Sequence, residues 1–174
     1  RAVLAREINM DAIIEMMDHA EVELEVQVHG MTCMFQSRRS LIGNYYEYQG
    51  KAMTVENRQA NKNMFLHDAE RNNKYPIFED FNGTHIMSPN DICIIDELQE
   101  MMEAGIHSFK IDGVLKDQSY LVAVTTLYRK AIDTCAQDVD AYDEIKHELL
   151  QEVEAIQPEN RPLDTGFFFK ETVY

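Results

Sequence analysis

The chain has 174 residues, the usual size of one domain, and 45% of them are apolar, enough for a real core. A formal net charge of −15 and a pI near 4.7 argue against independent binding to nucleic acid or to an anionic membrane, unless basic residues cluster locally. No apolar run reaches the roughly 18 residues of a membrane span. The three cysteines, Cys33, Cys93 and Cys135, are too sparse for a disulfide framework and fit a reducing cytoplasm.

In chain order, Ala2, Val3, Leu4 and Ala5 make a short apolar run, read as a buried strand ending at Arg6-Glu7. Asn9 stands where a helix N-cap belongs, and Ile13, Ile14, Met16 and Met17 give the helix after it an apolar stripe. Over 21–28, Val22, Leu24, Val26 and Val28 alternate with Glu21, Glu23, Glu25 and Gln27, which predicts a strand ending at His29-Gly30. Residues 31–80 are polar, rich in asparagine and without sustained period. They read as a long inserted, loop-rich segment, with short hairpins around Tyr45-Tyr46-Glu47-Tyr48 and Tyr75-Pro76-Ile77-Phe78.

The strand–helix rhythm resumes at 84–87 with a strand. Ser88-Pro89-Asn90-Asp91 then predicts a helix start, with Ser88 as cap, Pro89 in the first turn, and Ile92, Ile95, Leu98, Met101 and Met102 as the apolar face up to Gly105. Residues 108–111 form the next strand, ending at Asp112-Gly113. Helices follow over about 119–135 and 138–156, and the tail 161–169 is irregular, then strand-like. Strands alternating with helices imply parallel pairing. About four strands are too few for an eight-stranded barrel. The expected class is therefore α/β, either a doubly wound domain or the C-terminal half of a TIM-like (β/α) barrel carrying the 31–80 insertion. In the second case residues 1–174 are one partial domain of a longer chain, which agrees with the absence of an initiator Met.

Function in parallel α/β proteins sits at the C-terminal ends of strands. Those ends collect Arg6, Glu7, His29 and Asp112, with Lys110 one step inside. Such a set could bind an anionic small molecule and move protons, or could serve as ordinary caps and salt bridges. Glu25 and Lys110 fall within strands expected to be buried, where a charge needs a partner; they could pair with each other, in an active site or as a structural pair. Glu25, His29, Lys110 and Asp112 are the candidate catalytic groups, and Arg6, Glu7 and Cys33 the candidate substrate-binding ones. No metal site is expected. His147-Glu148-Leu149-Leu150-Gln151 lacks the second His of a zinc-protease helix, and no nucleophile elbow or phosphate-binding glycine loop is present. Arg38-Arg39, Lys51, Arg58 and Lys62, interleaved with Tyr45, Tyr46 and Tyr48, form a basic–aromatic patch that could touch RNA or be a solvated loop.

Val3-Leu4-Ala5-Arg6-Glu7-Ile8, Glu25-Val26-Gln27-Val28-His29-Gly30-Met31-Thr32-Cys33, Ser108-Phe109-Lys110-Ile111-Asp112-Gly113 and the closing Thr165-Gly166-Phe167 resemble, in order and spacing, the landmarks of peptidase family U-32, the collagenase-like peptidases. The resemblance implies a barrel-like β/α domain and either protease activity or, as in bacterial relatives, 5-hydroxylation of the tRNA wobble uridine with prephenate and an iron–sulfur cluster. Glu25, Gly30 and Cys33 match the family signature, but Arg38 and Ser40 stand where a Gly and a second Cys are expected, and Val114 replaces an Arg. One thiolate cannot hold a cluster that needs four ligands. The chain thus resembles the cluster-less paralogues, with no cofactor of its own, a cluster-bearing sister as partner, and tRNA reached only through a complex. The alternatives are a protease, with Cys33 and His29 as its nucleophile–base pair, and a non-catalytic scaffold. A fragment of this kind is also expected to expose a sheet edge and to dimerise or swap.

Overall fold

The computed structural model describes residues 1–51, 64–70 and 72–170. Its elements in chain order are β1 (Ala2–Val3), α1 (Met10–His19), β2 (Leu24–Ser37), α2 (Leu41–Tyr48), β3 (Phe65–Asp68), β4 (Asn73–Asp80), β5 (Gly83–Cys93), α3 (Leu98–Glu103), β6 (Ser108–Asp112), α4 (Gln118–Gln137), α5 (Val139–Ile156) and β7 (Leu163–Asp164). The strand order is β1-β2-β5-β4-β3, with β6 also on β2 and β7 on β5; the sheet is mixed and open. The chain divides into two compact units, Arg1–Met31 with Asn90–Tyr174, and Thr32–Pro89.

In the first unit β2 pairs parallel with β1 and β6, and Asp91-Ile92 at the end of β5 pair parallel with β7. The α/β class expected from the strand–helix rhythm is present here, but as an unclosed sheet. Asn9 caps α1 as its position predicts, its side-chain oxygen accepting from the Ala12 N–H at 3.0 Å. Asp117 and Asp138 cap α4 and α5 in the same way. Val26 and Val28 of β2 pack with Ile13, Ile94, Ile95, Leu98, Val124, Tyr128, Leu149 and Val153 in one core. Each such burial contributes about 1.5–3 kcal/mol.

Two tyrosines complete the hydrogen bonding of this core. Beyond Cys93 the chain leaves the β5 ladder, so its backbone groups need new partners. The Tyr128 hydroxyl donates to the Val28 carbonyl at 2.9 Å and accepts from the Ile94 N–H at 3.2 Å. The Tyr142 hydroxyl donates to the Ile95 carbonyl at 2.7 Å and accepts from the Leu98 N–H at 3.2 Å, at the start of α3. Tyr142→Phe keeps the ring but strands both groups, and should cost about 1–3 kcal/mol. Urea denaturation followed by circular dichroism measures this; a change within about 0.5 kcal/mol, the scatter of surface substitutions, would show that water reaches the α3 start.

The helix predicted from Ser88 is instead the end of β5. Ile92, Cys93, Ile94 and Ile95 are all buried, so the run is apolar on both faces, and a short run of that kind does not distinguish strand from helix. Ser88 caps no helix; its hydroxyl accepts from the Thr32 N–H at 3.1 Å. Only Leu98–Glu103 is helical, stopping at Ala104-Gly105 as expected, with Gly105 at φ +79°.

In the second unit β3, β4 and β5 form an antiparallel meander. The described part of 31–80 is therefore ordered strand and helix rather than loop, and β2 runs through His29-Gly30 to Ser37. Tyr45-Tyr46-Glu47-Tyr48 belongs to α2, not to a hairpin. The helix is capped from a distance: the Glu79 carboxylate of β4 accepts from the Ile42 and Gly43 N–H groups at 2.9 and 3.4 Å, which no local pattern reveals. The hairpin expected at Tyr75–Phe78 is present, with these residues in β4 paired to β3 and β5. Arg58, Lys62 and the asparagines at 57, 61 and 63 lie outside the described residues.

Candidate functional site

β1 and β6 both pair parallel with β2, β1 ending at Val3 opposite Glu25 and β6 at Asp112 opposite Gly30, so the chain beyond β1 and the end of β6 run in the same direction along β2, which continues to Ser37. Gln27 lies opposite Lys110 and Gly30 opposite Asp112. Arg6, Glu7, Gln27, Lys110 and Asp112, with the backbone run Val3-Leu4-Ala5, line a cavity of about 360 Å³. Lys110 Nζ is 3.3 Å from Asp112 Oδ2, and Asp112 Oδ1 accepts from the Val114 N–H at 3.1 Å. Gln27 is buried and its amide donates to the Met31 carbonyl at 3.3 Å. Gly30 sits at φ +104°, and a Cβ there would fall 2.2 Å from the Asp112 carbonyl oxygen, so only glycine lets β2 and β6 approach at this rim. Two cations, two carboxylates and an amide around one cavity suit an anionic small molecule and a proton transfer.

Four of the seven residues singled out from the sequence, Arg6, Glu7, Lys110 and Asp112, are thus brought together. Glu25 is not with them. It lies at the start of β2, where Ser108 Oγ donates to it at 2.8 Å and Arg1 Nη1 at 3.3 Å. The Ser108 hydrogen bond, opposed by desolvation and joined by Arg1, holds its carboxyl below the usual range. The expected Glu25–Lys110 pair does not form, because Lys110 turns to Asp112 in its own strand.

His29 is also elsewhere. The β2–β6 register slips between Gln27 and His29, so one extra β2 residue is accommodated and the alternation of faces reverses. His29 becomes fully buried beside Tyr128, with its ring 5.5 Å from that ring. Its Nε2 lies 2.8 Å from the Tyr120 hydroxyl, which donates to Gln157 Oε1 at 2.6 Å. The hydroxyl proton is thereby used, so Nε2 carries the imidazole proton and Nδ1 is a lone pair with no partner among the described residues. Desolvation, only partly offset by Asp91, lowers the His29 pKa to about 4. Cys33 is half-buried in the second unit, its thiol 3.4 Å from the Phe35 carbonyl. His29 and Cys33 each have their partner within their own unit.

Sequence reasoning missed the centre of the buried polar network. Asp91 has no exposed surface and accepts from Lys116 Nζ at 2.6 Å, from Gln157 Nε2 at 2.8 Å and from Arg161 Nε at 3.1 Å, with Arg161 Nη2 also in contact. Burial pushes its carboxyl up, but hydrogen bonds from Arg161 and Lys116 outweigh this and hold it below the usual range. Lys116 also lies over the Tyr120 ring at 4.5 Å. The one available signal was a carboxylate directly preceding the apolar run 92–95.

The three cysteines lie on separate elements, Cys33 on β2, Cys93 at the end of β5 and Cys135 on α4. Cys93 is buried, its thiol pushed up to about 11 chiefly by desolvation. Among the described residues no group of three or more His, Cys, Asp or Glu is placed to hold a metal ion. No helix there is long and apolar enough to cross a membrane.

The family model of peptidase family U32 matches residues 1–173. The chain is 66% identical over 174 residues to the tRNA hydroxylation protein P2 of Bacillus subtilis (strain 168), covering all of this chain and 56% of that protein. It is 30% identical over 168 residues to the tRNA hydroxylation protein P1 of the same organism (97% of this chain, 39% of the relative), and 29% identical over 154 residues to a collagenase of Porphyromonas gingivalis (82% and 36%). The chain thus spans about half the length, or less, of these curated relatives. No solved structure matches. With a family model matching from the first residue to the next-to-last, this chain belongs to peptidase family U32.

Proposed function

We propose that the intact protein acts in tRNA hydroxylation, as a wobble-uridine 5-hydroxylation component working with a cluster-bearing paralogue. The observation that carries this is 66% identity, across every residue of the chain, to a protein named for tRNA hydroxylation. The coexistence of relatives P1 and P2 in one organism supports a paired arrangement. In this reading β1, β2 and β6 belong to the C-terminal half of a TIM-like barrel completed by the rest of the protein, and the cavity is its mouth. Arg6 and Lys110 hold an anionic group, Asp112 and Glu7 position and exchange a proton, and Glu25 orders the strand starts through Arg1 and Ser108. This chain supplies no cluster ligands; the partner supplies them.

Nucleoside mass spectrometry on tRNA from a deletion strain tests this. Loss of 5-hydroxyuridine, restored by the native protein but reduced about tenfold or more by Lys110→Ala, is the expected result, since one charged hydrogen bond is worth roughly 1.5–3 kcal/mol. Full rescue by both Lys110→Ala and Glu25→Ala would leave a non-catalytic helper. An unaltered tRNA pool would remove the reading and turn attention to the peptidase activity in the family's name, checked by gelatin cleavage with and without Cys33→Ser.

A further inference from the structure

Charge is distributed very unevenly along this acidic chain. Residues 32–89 carry seven basic and six acidic side chains, whereas the remainder carries nine basic and twenty-five acidic ones. The same third of the chain holds eight of its sixteen tyrosines and phenylalanines. Several are exposed: Phe81 is 96% accessible, Tyr48 86% and Tyr45 61%. Monomeric surfaces scatter single apolar residues, but large aromatics at such exposure beside arginines ask for a flat, anionic partner.

The arrangement within this unit is built, not accidental. A Cβ on Gly83 would lie 2.8 Å from the Arg38 Cα, so the β4–β5 turn that carries Phe81 is seated directly on the Arg38 backbone. Thr84 Oγ1 donates to the Arg39 carbonyl at 2.9 Å and accepts from the Leu41 N–H at 2.9 Å, which ties the same strand to the start of α2. On α2, residues 41, 45 and 48 fall at i, i+4 and i+7 and form one exposed face. The nearby acids are engaged internally. Glu79 is held by the α2 N–H groups, and Asp80 by the Asn82 N–H and His85, leaving Glu47 as the exposed carboxylate of α2. Arg38 and Arg39 are exposed, and among the described residues neither has an ion-pair partner.

We infer that Arg38, Arg39, Tyr45, Tyr48 and Phe81 form a single-stranded RNA surface, the arginines meeting phosphates and the aromatic rings stacking on unpaired bases. This deepens the tRNA reading above and rests on it for the identity of the RNA. It places RNA binding in the one part of this chain that is not strongly acidic, since the acidic remainder would repel the backbone. A protein partner is the competing occupant, disfavoured because the patch pairs cations with exposed rings and is not a closed apolar face.

The test is fluorescence anisotropy of a labelled oligouridine, and of unmodified tRNA transcript, titrated with the intact protein over a range of salt. The native protein should bind both, with log affinity falling linearly in log salt. Arg38→Glu/Arg39→Glu should weaken binding at least tenfold and flatten the slope by about 1.4, from roughly 0.7 for each phosphate no longer neutralised. Phe81→Ala should weaken it about fivefold or more with an unchanged slope, since stacking is not ionic. Arg129→Glu/Lys130→Glu on α4, outside this unit, should leave both quantities near native. Thermal melting confirms folding of each variant, all of them at exposed positions. Unchanged affinity and slope in the Arg38/Arg39 and Phe81 variants would overturn the surface, as would native RNA binding with loss of a co-purifying protein partner. RNA binding through Arg38 by a protein whose deletion leaves 5-hydroxyuridine intact would sink the hydroxylation reading while keeping the surface.

Discussion

Replacing Asp91 by Ala should lower the stability of the folded protein by about 3–5 kcal/mol, the usual result of removing one partner from a buried ion pair. Two cations, Lys116 and Arg161, converge on this fully buried carboxylate, and neither side chain is much exposed. Without Asp91 the two cations lose the buried carboxylate on which they converge, and Gln157 loses an acceptor. The midpoint of thermal unfolding should fall by about 10 °C or more for a chain of this size. Asp91→Asn, which keeps the shape but not the charge, should recover only part of the loss. The same linkage has a pH signature. The Asp91 pKa is lowered in the folded protein, so its contribution is present above the unfolded value near 4 and is lost as pH falls below it. A loss under about 1 kcal/mol in Asp91→Ala, the size of an exposed pair, would mean that water reaches Lys116 and Arg161.

Acid should destabilise the protein earlier than its carboxylates alone predict, through His29. The groups facing His29 are Tyr120, Tyr128, Asp91 and Lys116. Desolvation dominates: it lowers the folded pKa from 6.5 to about 4, with Asp91 pulling it up and Lys116 pushing it further down. Between those pH values the unfolded chain binds a proton that the folded protein does not. Stability therefore falls as pH drops from 6.5, by about 3 kcal/mol at pH 4, and rises again with pH. Urea melts from pH 7 to 4 should show this slope in the native protein and lack it in His29→Gln. Parallel curves for the two proteins would show that the imidazole titrates normally. In NMR the His29 ring should stay neutral to near pH 4, a direct check on its place in the chain from Tyr120 through Gln157 to Asp91.

Much of the fold could be read locally. Asn9 as a cap, the alternation over Val26 and Val28, the strand at 108–111, the long helices over about 119–135 and 138–156, and the stop at Gly105 all follow from short-range chemistry, and the observed elements begin and end within about two residues of those bounds, except that β2 starts at Leu24 and runs on to Ser37. The clustering of Arg6, Glu7, Lys110 and Asp112 was legible too, because parallel pairing sends the chain beyond β1 and the end of β6 in one direction along β2. Three things were not. The run 92–95 satisfies helical spacing and strand burial equally, and distant partners select the strand exit: β7 beside Asp91-Ile92, Tyr128 from α4 and Tyr142 from α5. The helix at 41–48 depends on a carboxylate thirty-odd residues later in the chain. His29 left the cavity because a single register slip in β2 reversed its face, and a bulge has no signature in an alternating sequence. Residue types and periods thus determined the elements and the polar strand ends. Pairing register and long-range hydrogen bonds decided which polar groups share a cavity and which are buried as structure, since both depend on neighbours that the linear order does not place side by side.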